Sequence, residues 1–175
     1  MLENYFPVLL FICVGLAVGV VPLVLGWLGW GDNLHPTRLT VNEQYTHISL
    51  WCLLSAPLLL GCDLSKMDEF TLSLLTNDEV LAVNQDPLGR QADRIFKKEN
   101  IEAWGKILED GSNAIGFFNR GKEDLSHEFS LSDLHLDGNY VVRDLWRQKE
   151  LGEINHSFKT KIPGHGVVLV RFIRK

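Results

Sequence analysis

Two carboxylates have sequence positions that could serve catalysis. Asp63 directly follows the apolar run Leu58–Cys62, and a carboxylate at the carboxyl end of a buried strand in an α/β fold can face an active site. No partner carboxylate can be assigned to it, and a helix-cap or loop position accounts for it better. Asp86 precedes Pro87 and indicates the end of a helix. We therefore expect structural roles for both aspartates.

Metal ligation is not indicated by the histidines. They show neither H-x-x-x-H pairs nor the Cys/His spacing of metal sites. The six are His35, His47, His127, His135, His156 and His165. The sequence therefore predicts no metal site and no cofactor.

Nucleophilic catalysis is not indicated either. None of the serines in the central segment has the G-x-S-x-G context of a hydrolase nucleophile; these are Ser49, Ser55 and Ser65. The three cysteines lie in apolar surroundings without C-x-x-C spacing, which predicts buried free thiols. They are Cys13, Cys52 and Cys62. We assign no catalytic, substrate-binding, cofactor-binding or metal-ligating residue.

Charge is distributed unevenly along the 175 residues. The sequence has 17 Lys and Arg, 22 Asp and Glu, and a net charge of −5. No stripe of Lys and Arg is available to neutralise phosphates, so nucleic acid is excluded as a partner. The basic residues cluster only in two small groups that fit solvated faces. These are Lys97-Lys98 and Arg171, Arg174 and Lys175.

The N-terminus contains a long apolar segment. Residues 6–30 carry no charge, and a helix of that length spans about 37 Å at ~1.5 Å per residue, against ~30 Å for a bilayer core. A secretory signal peptide fits less well because no Lys or Arg precedes the run and no A-x-A pattern ends it. We predict a transmembrane-type helix within residues 1–30, which would make the chain membrane-associated. Without this helix, secreted, periplasmic and cytoplasmic locations all stay open.

The first 26 residues also resemble a known membrane segment. The sequence MLENYFPVLLFICVGLAVGVVPLVLG is similar to the first transmembrane helix of one of the small membrane subunits of NADH-quinone oxidoreductase. The later helices and loops of that family do not follow. Membership of a respiratory complex therefore does not account for the remaining residues.

Residues 31–90 have the pattern of helix, strand and helix. Thr40 and Glu43 form a T-x-x-E capping box ahead of a helix that Pro57 ends. The apolar run Leu58–Cys62 is predicted to be a strand buried on both faces, as in a parallel sheet.

Two short helices are predicted to follow, the first capped by Ser65 or Asp68 and the second by Asn77. A single strand buried on both faces needs neighbours at both edges, and this segment has no other convincing strand. We therefore predict that residues 32–90 pack loosely or lean their helices against the following module.

The pattern changes to period two over residues 91–175. Turn signals at Glu109–Ser112, Asp137–Asn139 and Pro163–Gly166 separate short strands, which predicts an antiparallel β-sandwich. The predicted strands are a pair within residues 93–108 joined at Glu99-Asn100, and then Ala114–Asn119, His127–Leu131, Asn139–Trp146, His156–Ile162 and Val167–Ile173.

Several short motifs together resemble glycoside hydrolase family 27, the α-galactosidases or melibiases. The resemblance covers residues 27–175 and rests on Ser49-Leu-Trp51, Ala56-Pro-Leu58, Asp63-Leu64, Asn77-Asp-Glu-Val80 and Asn84-Gln-Asp-Pro-Leu-Gly89. It implies that residues 31–90 are the terminal segment of a (β/α)8 TIM barrel, with Leu58–Cys62 similar to the eighth strand. It also implies that residues 91–175 are the C-terminal antiparallel β domain.

The resemblance implies hydrolysis of terminal α-galactosides with retention, without a cofactor. A retaining glycosidase needs two carboxylates about 5–5.5 Å apart. In this family both are aspartates on earlier barrel strands, and the sequence contains neither. We therefore expect this chain, as an incomplete glycoside hydrolase, to be inactive alone.

An alternative function is a membrane-anchored β-sandwich module that binds carbohydrate. Aromatic side chains could supply a platform for sugar stacking, although alternation along the strands favours core positions for most of them. They are Trp104, Phe117, Phe118, Tyr140, Trp146 and Phe158.

Overall fold

The computed structural model describes residues 39–61 and 63–175, and residues 39–175 form one compact unit. The transmembrane-type helix predicted over residues 6–30 lies outside the described residues, as do Cys13, His35 and Cys62. Within the described ranges, none of the helices combines the length and apolarity of a membrane span.

Short helices precede the sheets. They are α1 (Val41–Leu53), a 3-10 helix (Leu64–Lys66), α2 (Glu69–Leu75) and α3 (Asp78–Asn84). The predicted capping box is confirmed, because the Thr40 hydroxyl accepts from the Glu43 N–H at 3.3 Å and the Glu43 carboxylate accepts from the Thr40 N–H at 2.8 Å. Asp68 caps α2 and Asn77 caps α3 through the backbone N–H three residues later. These helix starts are set by local hydrogen bonds, which is why the sequence predicts them.

The strand predicted over Leu58–Cys62 is wrong for the residues described. Residues 58–61 have no strand structure, and the side chains of Leu59 and Leu60 are 79% and 44% exposed. A strand forms only when neighbours satisfy its backbone groups. All strands among the described residues lie between Asp93 and Arg174, so this segment has no neighbour with which to pair.

Eight strands follow the helices in the described part of the chain. They are β1 (Asp93–Lys98), β2 (Ile101–Ile107), β3 (Asn113–Asn119), β4 (Leu125–Ser130), β5 (Tyr140–Asp144), β6 (Lys149–Ile154), β7 (Ser157–Ile162) and β8 (Val167–Arg174). They pair antiparallel in a six-stranded sheet, β1-β2-β3-β8-β5-β6, and a two-stranded sheet, β4-β7. Strand β6 is missing from the sequence prediction because its exposed residues show no apolar alternation.

The predicted antiparallel β-sandwich is confirmed. The two sheets enclose an aromatic core in which the Phe117 ring lies 4.3 Å from the Phe129 ring and 5.4 Å from the Phe158 ring, between centroids. Phe172 of β8 meets Phe158 edge-on at 5.6 Å. These contacts join both sheets and bury the two-stranded sheet against the centre of the larger one.

The opposite face of the six-stranded sheet is covered by the helices. Leu53 of α1 and Val83 of α3 are fully buried in one core with Ala114 of β3 and Leu169 of β8. Gly116 of β3 permits this approach, because a Cβ atom there would lie 2.7 Å from a Leu53 methyl carbon. The prediction that the helices lean against the following module is therefore confirmed.

Candidate functional site

The carboxylates singled out from the sequence have structural roles. Asp63 is exposed and caps the 3-10 helix by accepting from the Ser65 N–H at 3.0 Å and the Ser65 hydroxyl at 2.7 Å. These hydrogen bonds lower the pKa of the Asp63 carboxyl. Asp86 accepts from the N–H groups of Leu88 at 3.1 Å and Glu109 at 2.9 Å, and so connects the end of α3 to the β2–β3 turn. The structural interpretation of both aspartates is confirmed.

The serines and histidines form no catalytic arrangement with one another in the described part of the chain. Ser49 is buried and accepts a hydrogen bond from the Trp146 indole N–H at 2.8 Å. The His47 ring stacks on Trp51 at 5.2 Å. Among the described residues, no group of three His, Cys, Asp or Glu side chains is placed to hold a metal ion.

Cys52 is the one predicted buried thiol that the described residues include. It is free and fully buried in α1, as expected from its apolar surroundings. Burial raises the pKa of the Cys52 thiol to about 11, with partial opposition from the Lys106 charge. A thiol with so high a pKa stays protonated at neutral pH and is a poor nucleophile.

Lys106 is a buried cation that the sequence analysis did not identify. Its ammonium group donates to the Val83 carbonyl at 2.6 Å, the Ser55 hydroxyl at 2.7 Å and the Cys52 carbonyl at 3.5 Å. Burial lowers its pKa, while the nearby Asp86 carboxylate opposes that shift. The signal in the sequence is a charged residue flanked at i±2 by Trp104 and Leu108, on what alternation makes an apolar face. The ammonium group joins the C-terminal ends of α1 and α3 to β2.

A groove of about 570 Å³ lies between α1 and the edge of the six-stranded sheet. Leu50 and Phe118 supply its apolar surface and Trp104 its indole. Its polar lining residues are Glu43, Thr46, Glu102, Asn119, Arg120 and His165. Its volume and mixed lining fall within the range of small-molecule sites.

Glu102 is the central polar group of this groove, and its side chain is only 7% exposed. Its carboxylate accepts from the Arg120 guanidinium and from the Trp104 indole N–H, each at 3.2 Å. Arg94 and Lys97 of β1 lie 3.8 and 3.7 Å away. Burial raises the pKa of Glu102, but these hydrogen bonds and cations outweigh it and hold the pKa below the ordinary value. Glu102 is therefore ionised at neutral pH and is not suited to act as a general acid.

The aromatic residues considered for sugar stacking divide into two groups. Four are buried in the cores, as alternation predicts: Phe117, Phe118, Tyr140 and Phe158. Trp104 and Trp146 are only half-buried. Of these two, Trp104 lines the groove that also contains Glu102, which makes this groove the strongest candidate binding site among the described residues.

Comparison with known protein families accounts for most of the chain. Residues 26–86 match a family model described as alpha galactosidase A, and residues 98–172 match the alpha galactosidase C-terminal beta sandwich domain. The resemblance of residues 1–26 to a membrane component of NADH-quinone oxidoreductase concerns residues outside the described part and is not supported by these comparisons.

Individual relatives show the same relationship. The chain is 38% identical over 136 residues to the probable alpha-galactosidase of Dictyostelium discoideum and 34% identical over 143 residues to the alpha-galactosidase of Cyamopsis tetragonoloba. These alignments cover 74% and 78% of this chain but 35% of each relative, so the chain spans about a third of their length.

Solved structures agree with the sequence comparisons. Alpha-galactosidase I from Mortierella vinacea superposes with a TM-score of 0.75 at 29% identity, over 78% of this chain and 36% of that one. A GH27 β-L-arabinopyranosidase from Geobacillus stearothermophilus superposes with a TM-score of 0.75 at 32% identity, over 79% of this chain and 32% of that one. The matched part of this chain, residues 26–172, belongs to the α-galactosidase family, glycoside hydrolase family 27, and corresponds to the C-terminal portion of its members.

Proposed function

We propose that this chain provides the C-terminal portion of an α-galactosidase-type glycoside hydrolase, in which the β-sandwich supports the end of the catalytic barrel. The core shared by the two matched segments carries this proposal. Leu53 and Val83 from the first segment pack with Ala114 and Leu169 from the second, and Lys106 bridges the segments with hydrogen bonds. The substrates of the whole enzyme would be terminal α-galactosides, hydrolysed with retention and without a cofactor.

A second ion pair strengthens this junction. The Arg143 guanidinium of β5 donates to both carboxylate oxygens of Glu79 in α3, at 2.8 and 2.5 Å. Bidentate pairs of this kind fix the relative orientation of the two groups as well as stabilising their contact. The sandwich thereby positions α3, and with it the segment that resembles the end of the barrel.

The leucines between α1 and α2 support a role within a larger assembly. Leu59, Leu60 and Leu64 are 79%, 44% and 65% exposed. Each side chain of this size favours burial by roughly 1.5–3 kcal/mol. We infer that this run forms a barrel strand when the remaining two thirds of an α-galactosidase chain pack against it.

The chain alone would not hydrolyse α-galactosides. Retaining hydrolysis requires a nucleophile and an acid about 5–5.5 Å apart. The buried carboxylates among the described residues are Glu102 and Asp144. Glu102 is paired with cations, and Asp144 accepts from the Arg147 guanidinium at 2.9 Å and its backbone N–H at 3.1 Å. These contacts leave neither residue arranged as a proton donor to a glycosidic oxygen.

Incubating the purified full chain with 4-nitrophenyl α-galactoside tests this part of the proposal. We expect no release of nitrophenol above the buffer rate from protein that melts cooperatively. Release that increases with chain concentration and survives further purification would contradict the proposal.

Fragment complementation tests the supporting role. The N-terminal two thirds of the Cyamopsis tetragonoloba enzyme, added to this chain, should form a complex detectable by sedimentation. Leu59→Asp with Leu60→Asp should abolish the complex, whereas Leu151→Asp, at a leucine 48% exposed on β6, should not. Equal association of both variants, or none by the unmodified folded chain, would overturn the proposed role.

Membrane attachment through residues 6–30 is a further proposal. Together with a carbohydrate-binding sandwich it would make the chain an anchored binding module, the alternative expected from the sequence. The apolar character of residues 6–30 supports attachment. The expressed chain should sediment with carbonate-washed membranes, and Leu16→Asp should shift it to the supernatant. Recovery of the unmodified chain in the supernatant would argue against an anchor.

A further inference from the structure

We propose that the groove lined by Trp104, Glu102 and Arg120 binds a neutral hexopyranose unit of a glycan. The groove offers an indole, a carboxylate and a guanidinium within one concave surface of about 570 Å³. Trp104 and Arg120 both donate to Glu102 at 3.2 Å, so the three groups hold one another in a defined arrangement. The choice of sugar class rests on the proposed glycoside hydrolase function.

The charges around the groove favour a ligand without net charge. Glu43 and Glu102 both line it, and two carboxylates oppose the entry of an anion. Arg120 lines it as well, and Arg94 and Lys97 lie within 4 Å of Glu102, so a cation is opposed too. Sugar hydroxyls donate to carboxylates and accept from guanidinium groups. A polyhydroxylated neutral ligand therefore matches both kinds of group.

The apolar lining provides the second element of sugar recognition. A pyranose ring has a face of C–H groups that can stack against an aromatic side chain, and Trp104 lines the groove beside Leu50 and Phe118. Tryptophan offers the largest aromatic surface and buries it at low cost in side-chain entropy. The ring of a bound hexose would lie on the Trp104 indole, with its hydroxyls toward Glu102 and Arg120.

Part of the site is held rigid before any ligand binds. The Thr46 hydroxyl of α1 donates to the His165 carbonyl at 2.9 Å and the Asn42 amide donates to the Gly164 carbonyl at 3.0 Å. Both bonds fix α1 to the β7–β8 turn, which forms one wall of the groove. The Arg120 side chain is 68% exposed and donates one of its N–H groups to Glu102, which leaves others directed to ligand or solvent. Preorganisation of this kind reduces the entropic cost of binding.

Heteronuclear NMR on the full chain provides the test, with methyl α-galactoside, melibiose, methyl α-glucoside and galacturonate as probes. We expect the neutral sugars to shift the Trp104 indole N–H resonance and galacturonate to shift it at least tenfold more weakly. Arg120→Ala should weaken neutral-sugar binding about tenfold or more. Arg174→Ala, at an arginine of similar exposure (62%) on β8, should leave the affinity unchanged.

Glu102→Gln keeps the shape of the side chain and tests the acceptor directly, so it should also weaken binding about tenfold while the chain still melts cooperatively. Absence of any shift at 50 mM neutral sugar would overturn the inference, as would equal affinities in the Arg120→Ala and Arg174→Ala variants or tighter binding of galacturonate. The readout is independent of hydrolysis and complementation. Failure of the groove therefore leaves the supporting role of the sandwich intact, and failure of complementation leaves sugar binding to be decided by these variants.

Discussion

The ammonium nitrogen of Lys106 in β2 lies 2.6 Å from the carbonyl oxygen of Val83 near the end of α3. The last carbonyl groups of a helix have no partner within the helix, and a cation is favoured there by the helix dipole. Lys106 supplies such a cation from a neighbouring strand, and it reaches the end of α1 as well through Cys52. One buried side chain thus links two helices to the sheet.

Replacement of Lys106 by Met should destabilise the chain by about 1–3 kcal/mol, because it leaves the buried carbonyls of Val83 and Cys52 without their donor. The loss of a buried charge offsets part of this cost. Denaturant unfolding measures the change, and Lys159→Met at an exposed position of β7 is the matched control. A Lys106→Met variant as stable as the control would show that the ammonium contacts contribute nothing net.

Glu102 should make the stability of the chain depend on pH in the acid range. Its pKa is lowered in the folded state, so its stabilising contribution is fully present above the unfolded pKa and is lost as the pH falls through the lower folded value. Unfolding free energies measured from pH 7 to pH 3 should show a smaller acid loss for Glu102→Gln than for the unmodified chain. At pH 7 the variant should be less stable by about 1.5 kcal/mol.

The control for this pH effect is Glu109→Gln, at an exposed glutamate in the β2–β3 turn. It should leave the pH dependence of the unfolding free energy unchanged. Parallel curves for Glu102→Gln and the unmodified chain would contradict the ion-pair account of the lowered pKa.

Ser49→Ala should cost about 1–3 kcal/mol of stability, because it removes the acceptor of the Trp146 indole N–H from a site where Ser49 is fully buried. Thermal melts followed by tryptophan fluorescence report on the change directly. Ser126→Ala, on the exposed side of β4, should melt with the unmodified chain. Coincident melts for all three proteins would mean that water replaces the serine at no cost.

Phe117→Ala should be the most destabilising of these substitutions, at roughly 3–5 kcal/mol, because Phe117 is fully buried between the two sheets and the cavity cannot collapse without moving both. Ile173→Ala, at a residue of β8 that is 39% exposed, should cost much less. Urea unfolding of both variants gives the comparison. Similar losses would indicate that the sheets repack around the cavity.

The correct predictions from sequence concern features with local causes. The Thr40–Glu43 capping box and the Asp68 and Asn77 caps depend on residues three positions apart, so a short stretch contains all the groups involved. Most strands were found because one side of each strand meets the core between the sheets. Strand β6 was missed because it is an exposed edge with no apolar alternation.

Helix starts, the period-two module and the family motifs therefore follow from the amino-acid order alone, since they depend on residue type and spacing. Features that depend on distant neighbours were settled only by the folded chain. The leucine run at residues 58–61 is not a strand because its fate depends on strands from elsewhere, which residues 93–174 do not provide. Lys106 and Glu102 became buried ionic groups because sheet pairing and helix docking brought Val83 and Arg120 to them, across separations that no local pattern encodes.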